Sequence, residues 1–438
     1  MKWLKRLLYI MLLLIAIVIA APFIIPVNRY IPQIEKLASE KIHEPVRIGE
    51  LGASFLPTPH LTLKGVSVGG AQDFRIDTIR VFVEILSLVK PVKVIKNIDL
   101  DGMFSNQDML TRMPSWFKNG DSGPQRITIQ NIRLHHVSVG LKKMTLGPFE
   151  GDIRLGNEGG FEQANIATED SKLKMVIKPE KGSFRIEAIG KNWQPPVGPG
   201  LMFNELYILA LANQNELDVD EINGNLYGGT IKGDARLSWT NGWRLSGLLH
   251  TDRVELKELV PLFSKETTVS GKLNADVAYL MKGETADQMV AVPSAEAKFR
   301  VKDGVLFNMD LVGAVRSFTS QGVRGGQTRF DEFSGETRLV NKGYHFRRLK
   351  IASGLLSASG DVSISPAKQL SGDISVQMKG TANLINVPLN VSGPLRDPVL
   401  RPTKSAVAGA VAGTAILGPG LGTSLGIKAG QMTENLFK

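Results

Sequence analysis

The sequence predicts a mainly β fold: an N-terminal transmembrane helix, then antiparallel meanders with only a few short helices. Three observations carry that expectation. Apolar and polar residues alternate with a period of two through nearly every segment after Val46, the mark of strands whose two faces differ. Gly, Pro, Asn and Asp punctuate the joins as short hairpin connections require, and 45 glycines among 438 residues suit turns better than long helices. A run without charge, Leu7 to Asn28, opens the chain.

Lys2, Lys5 and Arg6 precede that run, which matches the ~20 residues a membrane helix needs. Leading cations favour a cytoplasmic N-terminus, with everything after Asn28 on the far side. The rival is a cleaved signal peptide ending near Val18-Ile19-Ala20, but the apolar run continues through Phe23, Ile24 and Ile25. The expectation is a retained anchor over residues 1–28: a bacterial inner-membrane protein, single pass, with the bulk of the chain periplasmic. Ile31, Ile34, Leu37, Ala38 and Ile42 then recur at helical spacing, so a short amphipathic helix opens a segment of helix and first strands over 29–110.

The body reads as strand after strand: a middle β segment over 111–200, then a larger β domain over 201–403. Short helices are expected at Val83–Val89, Val254–Phe263 and Asp310–Phe318. In LSASGDVSISPAKQLSGDISVQMKG, Val362 and Ile364 alternate with Asp361 and Ser363. After the turn at Pro366, Leu370, Ile374, Val376 and Met378 alternate with Ser371, Asp373, Ser375 and Gln377. Ile231, Ala235, Leu237 and Trp239 share one face in the same way. So do Leu273, Val277 and Tyr279, and so do Val305 and Phe307. A one-sided oily sheet needs a cover, and three are open: a second sheet, packed helices, or a ligand.

Composition removes several classes of function. Without cysteine there is no disulfide scaffold, thiolate zinc site or thiol nucleophile. The formal net charge is +10, yet no dense Lys/Arg block suggests nucleic-acid binding. Histidines at 43, 60, 135, 136, 250 and 345 are scattered, and on a regular strand His135 and His136 point to opposite faces, awkward for shared metal ligation. No His-Glu-x-x-His helix or phosphate loop occurs, and neither an enzyme nor a cofactor is expected. Arg316, Arg324 and Arg329 are candidates for holding lipid phosphates through charge-assisted hydrogen bonds, against the reading of a solvated loop.

Between 405 and 428 the chain is glycine-rich and uncharged up to Lys428. Gly409, Gly413, Gly418, Gly422 and Gly426 are spaced for close helix packing, and Pro419 interrupts the run. A bent segment touching a membrane or an outer-membrane or periplasmic protein partner is expected over 404–438, with a full membrane span and a flexible tail as the alternatives.

The order of these segments resembles the AsmA family. The amphipathic helix leads into PVRIGELGASFLPTPHLTLKGVSVGG, with Leu61, Leu63, Val66 and Val68 in the family's "L-x-L-x-x-V-x-V" run. INGNLYGGTIKGDARLSW is similar to its Tyr-Gly-Gly strand pair. KFRVKDGVLFNMDL and the stretch TRFDEF to DVSIS resemble the AsmA-like C-terminal domain, closed by VPLNVSGPLRDPVLRPT. Residues 111–200 carry little that matches, and the chain is a short member. The resemblance implies an inner-membrane-anchored periplasmic protein with phospholipid partners. It also implies a long, twisted antiparallel sheet forming an open apolar groove, the repeating β-groove of bridge-like lipid transfer proteins. In that reading lipid is the third cover, and acyl chains travel toward the outer membrane along the alternating apolar residues named above. About 20 strands at ~4.8 Å would give a groove on the order of 100 Å. A non-enzymatic scaffold for outer-membrane protein biogenesis, its strands packed on themselves, is the alternative.

Overall fold

A computed structural model describes residues 27–54, 58–69, 73–87, 89–106, 109, 127–141, 144–156, 160–196, 198–265, 269–317, 321–378, 386–408, 410 and 427. Among them lie 24 strands, and the chain divides between Ile189 and Gly190 into two compact units.

The first unit begins with α1 (Ile31–Ile42). Its Ile31, Ile34, Ala38 and Ile42 pack on Val46, Ile48, Val66, Val68, Phe74, Ile76 and Met109, while Leu37 stays exposed. Two side chains dock the helix on the strand that follows: Ser39 Oγ accepts from the Val46 N–H at 2.9 Å, and Glu35 Oε1 from the Ile48 N–H at 2.7 Å. The strands are β1 (Val46–Arg47), β2 (Glu50–Ser54), β3 (His60–Val68), β4 (Phe74–Val83), β5 (Lys93–Asp101), β6 (Phe104–Asn106), β7 (Ile127–Leu141), β8 (Met144–Leu155), β9 (Phe161–Thr168), β10 (Leu173–Glu180) and β11 (Ser183–Trp193). The purely antiparallel sheet expected from the short joins is corrected here. β7 runs parallel to β5, pairing Lys93 with Ile127 and Leu100 with Leu134, and parallel to β6. A parallel neighbour needs a long connection, and the chain between Asn106 and Ile127 supplies one.

The second unit is antiparallel in all its described strand-to-strand ladders, with parallel pairing only in isolated bridges such as Met309 to Gly325. It comprises β12 (Phe203–Ala212), β13 (Glu216–Leu226), β14 (Gly229–Ser238), β15 (Trp243–Glu255), α2 (Leu256–Leu259), β16 (Val269–Gly283), α3 (Ala286–Ala291), β17 (Ser294–Phe307), α4 (Leu311–Ser317), β18 (Val323–Arg324), β19 (Gln327–Val340), β20 (Gly343–Ala352), β21 (Leu356–Ile364), β22 (Gln369–Met378), β23 (Asn386–Pro394) and β24 (Val399–Pro402). β12 to β17 pair in sequence order, β17 then pairs β19, and the ladder continues to β24, against which β18 also lies. The Tyr-Gly-Gly motif is a hairpin turn: Leu226 pairs Gly229 across Tyr227 (φ 48°) and Gly228 (φ 72°), the left-handed pair a tight hairpin demands.

Several strands carry one surplus residue. Register shifts fall at Asp252/Arg253 in β15, Lys302/Asp303 in β17 and Arg347/Arg348 in β20, where Arg253, Asp303 and Arg348 adopt φ near +50°. Such a bulge puts two neighbours on the polar side before alternation resumes. Tyr344 and Phe346 therefore share a face with Leu349 and Ile351. In β17, Val301 and Leu306 point to the core, so Val305 and Phe307 lie on the reverse side from Val301.

The predicted anchor is corrected as well. Among the described residues no helix is long and apolar enough to cross a membrane. The run expected to span one, residues 1–28, falls outside the described residues except for Val27 and Asn28, which open a 3-10 helix. The inner-membrane anchor, the single-pass topology, the inner-membrane partner and the periplasmic placement built on them are withdrawn. The glycines at 409, 413, 418, 422 and 426 also lie outside the described residues.

Candidate functional site

The alternating residues of the second unit form one apolar face, and the chain itself covers part of it. Near β12–β15, Phe203, Leu206, Leu226, Ile231 and Val254 make one buried cluster. Beside it Leu256 of α2, Val301 and Phe330 make a second, with Leu259 and Leu273 touching both. Toward the C-terminus, Leu311, Ala314 and Val315 of α4 pack on Leu356, Ala358, Leu370, Val376, Val387, Leu389, Val391 and Leu400. Thr328 seats that helix: its Oγ1 accepts from the Leu311 N–H at 3.0 Å and donates to the Met309 carbonyl at 2.7 Å. The groove expected to lie open along the whole sheet is thus corrected, since α2 and α4 occupy much of its face.

Between those clusters and α3, which packs over Gly283 through the backbone of Met289, a strip stays half-exposed. Its rows follow the strand register. One runs Leu217, Leu237, Leu245, Met281. The next runs Gly247, Tyr279, Ala295, Leu339, Tyr344, Ile364. A third runs Leu249, Val277, Ala297, Thr337, Phe346, Val362. At ~4.8 Å per strand the six strands β14 to β17, β19 and β20 make a strip roughly 24 Å across. Aromatic rings lead into it from the buried side. Phe330 contacts Phe333, Phe333 contacts Phe299 and Phe299 contacts Phe346, each edge to face, and Phe346 stacks with Tyr344 at 6.3 Å.

The structure distributes the sequence-nominated residues accordingly. Ile231, Leu370 and Val376 are buried in the clusters, and Leu273, Val362, Ile364, Ile374 and Met378 pack against them. Ala235, Leu237, Trp239, Val277 and Tyr279 are half-buried and belong to no buried cluster. Phe299, Phe333, Tyr344 and Phe346 went unnominated, although Tyr344 and Phe346 alternate visibly in YHFRRLKIAS; the bulge at Arg348 hides their continuity with Leu349 and Ile351. Arg316 and Arg329 are exposed, and Arg324 is ion-paired with Asp397.

The reverse side of the same strands is charged. Lys232, His250, Asp276, Lys298, Glu336 and Arg347 stand in one register row and line an open depression of about 1110 Å³. Charges alternate along that row, and His250–Asp276 (2.7 Å) and the neighbouring Arg338–Glu296 (3.2 Å) are paired, which describes a self-compensating solvated face.

In the first unit, a bulge at His136 (φ 52°) places both histidines beside acids instead of on opposite faces. His135 Nδ1 lies 2.8 Å from Glu150 Oε2, and His136 Nδ1 lies 2.9 Å from Asp101 Oδ1. The hydrogen bond to Asp101 raises the His136 pKa above its ordinary value. Burial pushes the Glu150 carboxyl up, but hydrogen bonds from the His136 N–H and from His135 outweigh it and hold Glu150 below the ordinary range. No group of metal-ligating side chains occurs among the described residues.

The family profile of AsmA matches residues 1–103 and 197–344, more than half of the chain and both units. The chain belongs to the AsmA family. No curated protein and no solved structure matches it. The AsmA match covers the Tyr227-Gly228 hairpin, the bulged strands β15 and β17, and most of the half-exposed strip.

Proposed function

We propose that the second unit handles lipid, holding acyl chains against the half-exposed apolar strip between α2, α3 and α4. One observation carries this reading. Leu237, Tyr279 and Val277, with their neighbours Leu245, Met281 and Tyr344, continue the apolar face beyond the helices that cover it and belong to no buried cluster among the described residues; only the row members Leu249, Val362 and Ile364 pack against one. An apolar strip of that breadth facing water is unfavourable, and each CH₂ of a lipid sheltered there gains about 0.8 kcal/mol. Binding of this kind asks for continuity and breadth, not for a particular side chain, in accord with rows built from Leu, Val, Ala, Met, Tyr and Phe. The AsmA membership supports a lipid-related partner.

The test is site-specific photo-crosslinking in the full chain. Probes at Val277 and Tyr344 are expected to capture phospholipid, whereas probes at Asp276 on the reverse side and at Val376 in the covered core are not. Equal capture at Val277 and Asp276, or none at Val277 and Tyr344, overturns the proposal. A purified chain free of lipid would instead favour a self-packed scaffold.

A further inference from the structure

In the first unit, the connection from β4 to β5 leaves the sheet as a short 3-10 turn, Ile85–Ser87, followed by Val89, Lys90, Pro91 and Val92. Four large apolar side chains among these seven described residues face water: Ile85 is 56 %, Leu86 72 %, Val89 89 % and Val92 42 % exposed. Ile127, the partner of Lys93 in the parallel ladder, adds a fifth at 55 %. Scattered exposed apolar residues are ordinary, but such a concentration on one projecting turn is not.

The turn is also built to hold its shape. Ser87 is fully buried beneath it. Its Oγ donates to the Glu84 carbonyl at 2.6 Å and accepts from the Val94 N–H at 2.8 Å. Backbone bonds from Glu84 to Val94 and from Lys90 to Ser87, each 2.9 Å, close the loop, and Lys93 Nζ donates to the Lys90 carbonyl at 2.6 Å. A buried polar anchor thus fixes a turn whose outer surface is greasy.

Charge selects the occupant. Between Glu84 and Asp99 there is no acidic residue, while Lys90, Lys93 and Lys96 follow the apolar tip. Apolar side chains at an apex with lysines behind them match the headgroup boundary of an anionic bilayer, where the former bury and the latter meet lipid phosphates.

We infer that the Ile85–Val92 turn is a wedge by which the first unit docks on an anionic lipid surface. It stands apart from acyl-chain binding in the second unit, so either can fail without the other.

The absence of cysteine permits a clean test on the full chain. An environment-sensitive fluorophore is attached at Leu86→Cys or, as control, at Asp77→Cys, six residues back along β4 from Val83 and roughly 20 Å away. With phosphatidylcholine vesicles containing phosphatidylglycerol, emission from position 86 is expected to shift to the blue and to be quenched by spin-labelled lipid, while position 77 stays unchanged. Adding Lys90→Gln and Lys96→Gln, which leave the Lys93 bond that closes the loop in place, should raise the lipid needed for half the shift by about tenfold or more, and weaken the preference for phosphatidylglycerol over phosphatidylcholine alone. Emission from position 86 that stays unshifted while the protein sediments with vesicles overturns the inference. So does failure to associate with vesicles, or a blue shift already complete without them, which would place the tip against protein.

Discussion

The Tyr279 hydroxyl donates to the backbone carbonyl of Asp234 at 3.2 Å, although the two residues lie two strands apart. It reaches that far because Gly247 stands between them on β15: a Cβ there would meet the Tyr279 hydroxyl oxygen at 2.5 Å. The ring thereby lies flat along the apolar strip, its polar end satisfied by the sheet's own backbone.

Removing that bond should cost little and leave the surface greasy. Tyr279→Phe is expected to lower stability by about 1 kcal/mol or less in denaturant titration, with lipid capture at Val277 retained. Burial, and secondarily the Asp234 carboxylate, pushes the Tyr279 phenol up to about 12. A folded value above the unfolded one means the contribution is whole below about 10 and is lost as pH climbs toward 12, so Tyr279→Phe should flatten the alkaline limb of the stability profile.

The histidine–carboxylate group of the first unit gives the opposite limbs. His136 is raised by Asp101, so its contribution is complete below the ordinary histidine value and disappears as pH rises through the raised one. Glu150 is lowered, so its contribution is present above the ordinary carboxylate value and disappears as pH falls through the lowered one. His136 and Glu150 are both charged only between those two limits. Asp101→Asn should return the His136 midpoint toward its ordinary value in an NMR titration of the imidazole; an unmoved midpoint refutes the assignment.

Covered and uncovered parts of the apolar face should respond differently to truncation. Leu389, fully buried beneath α4, should cost roughly 2–5 kcal/mol as Leu389→Ala. Val277, half-exposed on the strip, should cost about 1 kcal/mol as Val277→Ala. Urea unfolding of the two variants checks the contrast.

Loosening α4 should extend the lipid-accessible strip. Thr328→Val deprives the Leu311 N–H of its acceptor and the Met309 carbonyl of its donor, at a cost of about 1–3 kcal/mol. A photo-crosslinker at Val376, silent in the parent chain, should then begin to capture phospholipid.

Much of this was legible in the residues. Strict alternation in Leu273–Tyr279 and Leu370–Met378 located strands and their apolar sides, and short helices do fall within the stretches Val83–Val89, Val254–Phe263 and Asp310–Phe318, whereas α3 (Ala286–Ala291) was missed. The parallel step at β7 was hidden because it depends on a long connection folding back, not on any local pattern. Coverage by α4 was hidden for a similar reason: seven residues with Leu311, Ala314 and Val315 on one side declare an amphipathic turn but not where it docks. Phe307 illustrates the third kind of loss. Counting by twos from Val301 has to stop at Asp303, whose left-handed backbone no hydrophobic pattern announces.

That single surplus residue has a consequence for how the chain tolerates change. Deleting Asp303 would leave composition almost untouched and remove the register shift that β17 makes against β16. Every side chain after it would keep its side, Leu306 inward and Val305 outward, because the residue removed is the surplus one. A codon lost at Asp303 therefore spares the alternation, whereas one lost elsewhere in β17 would turn over every side chain beyond it.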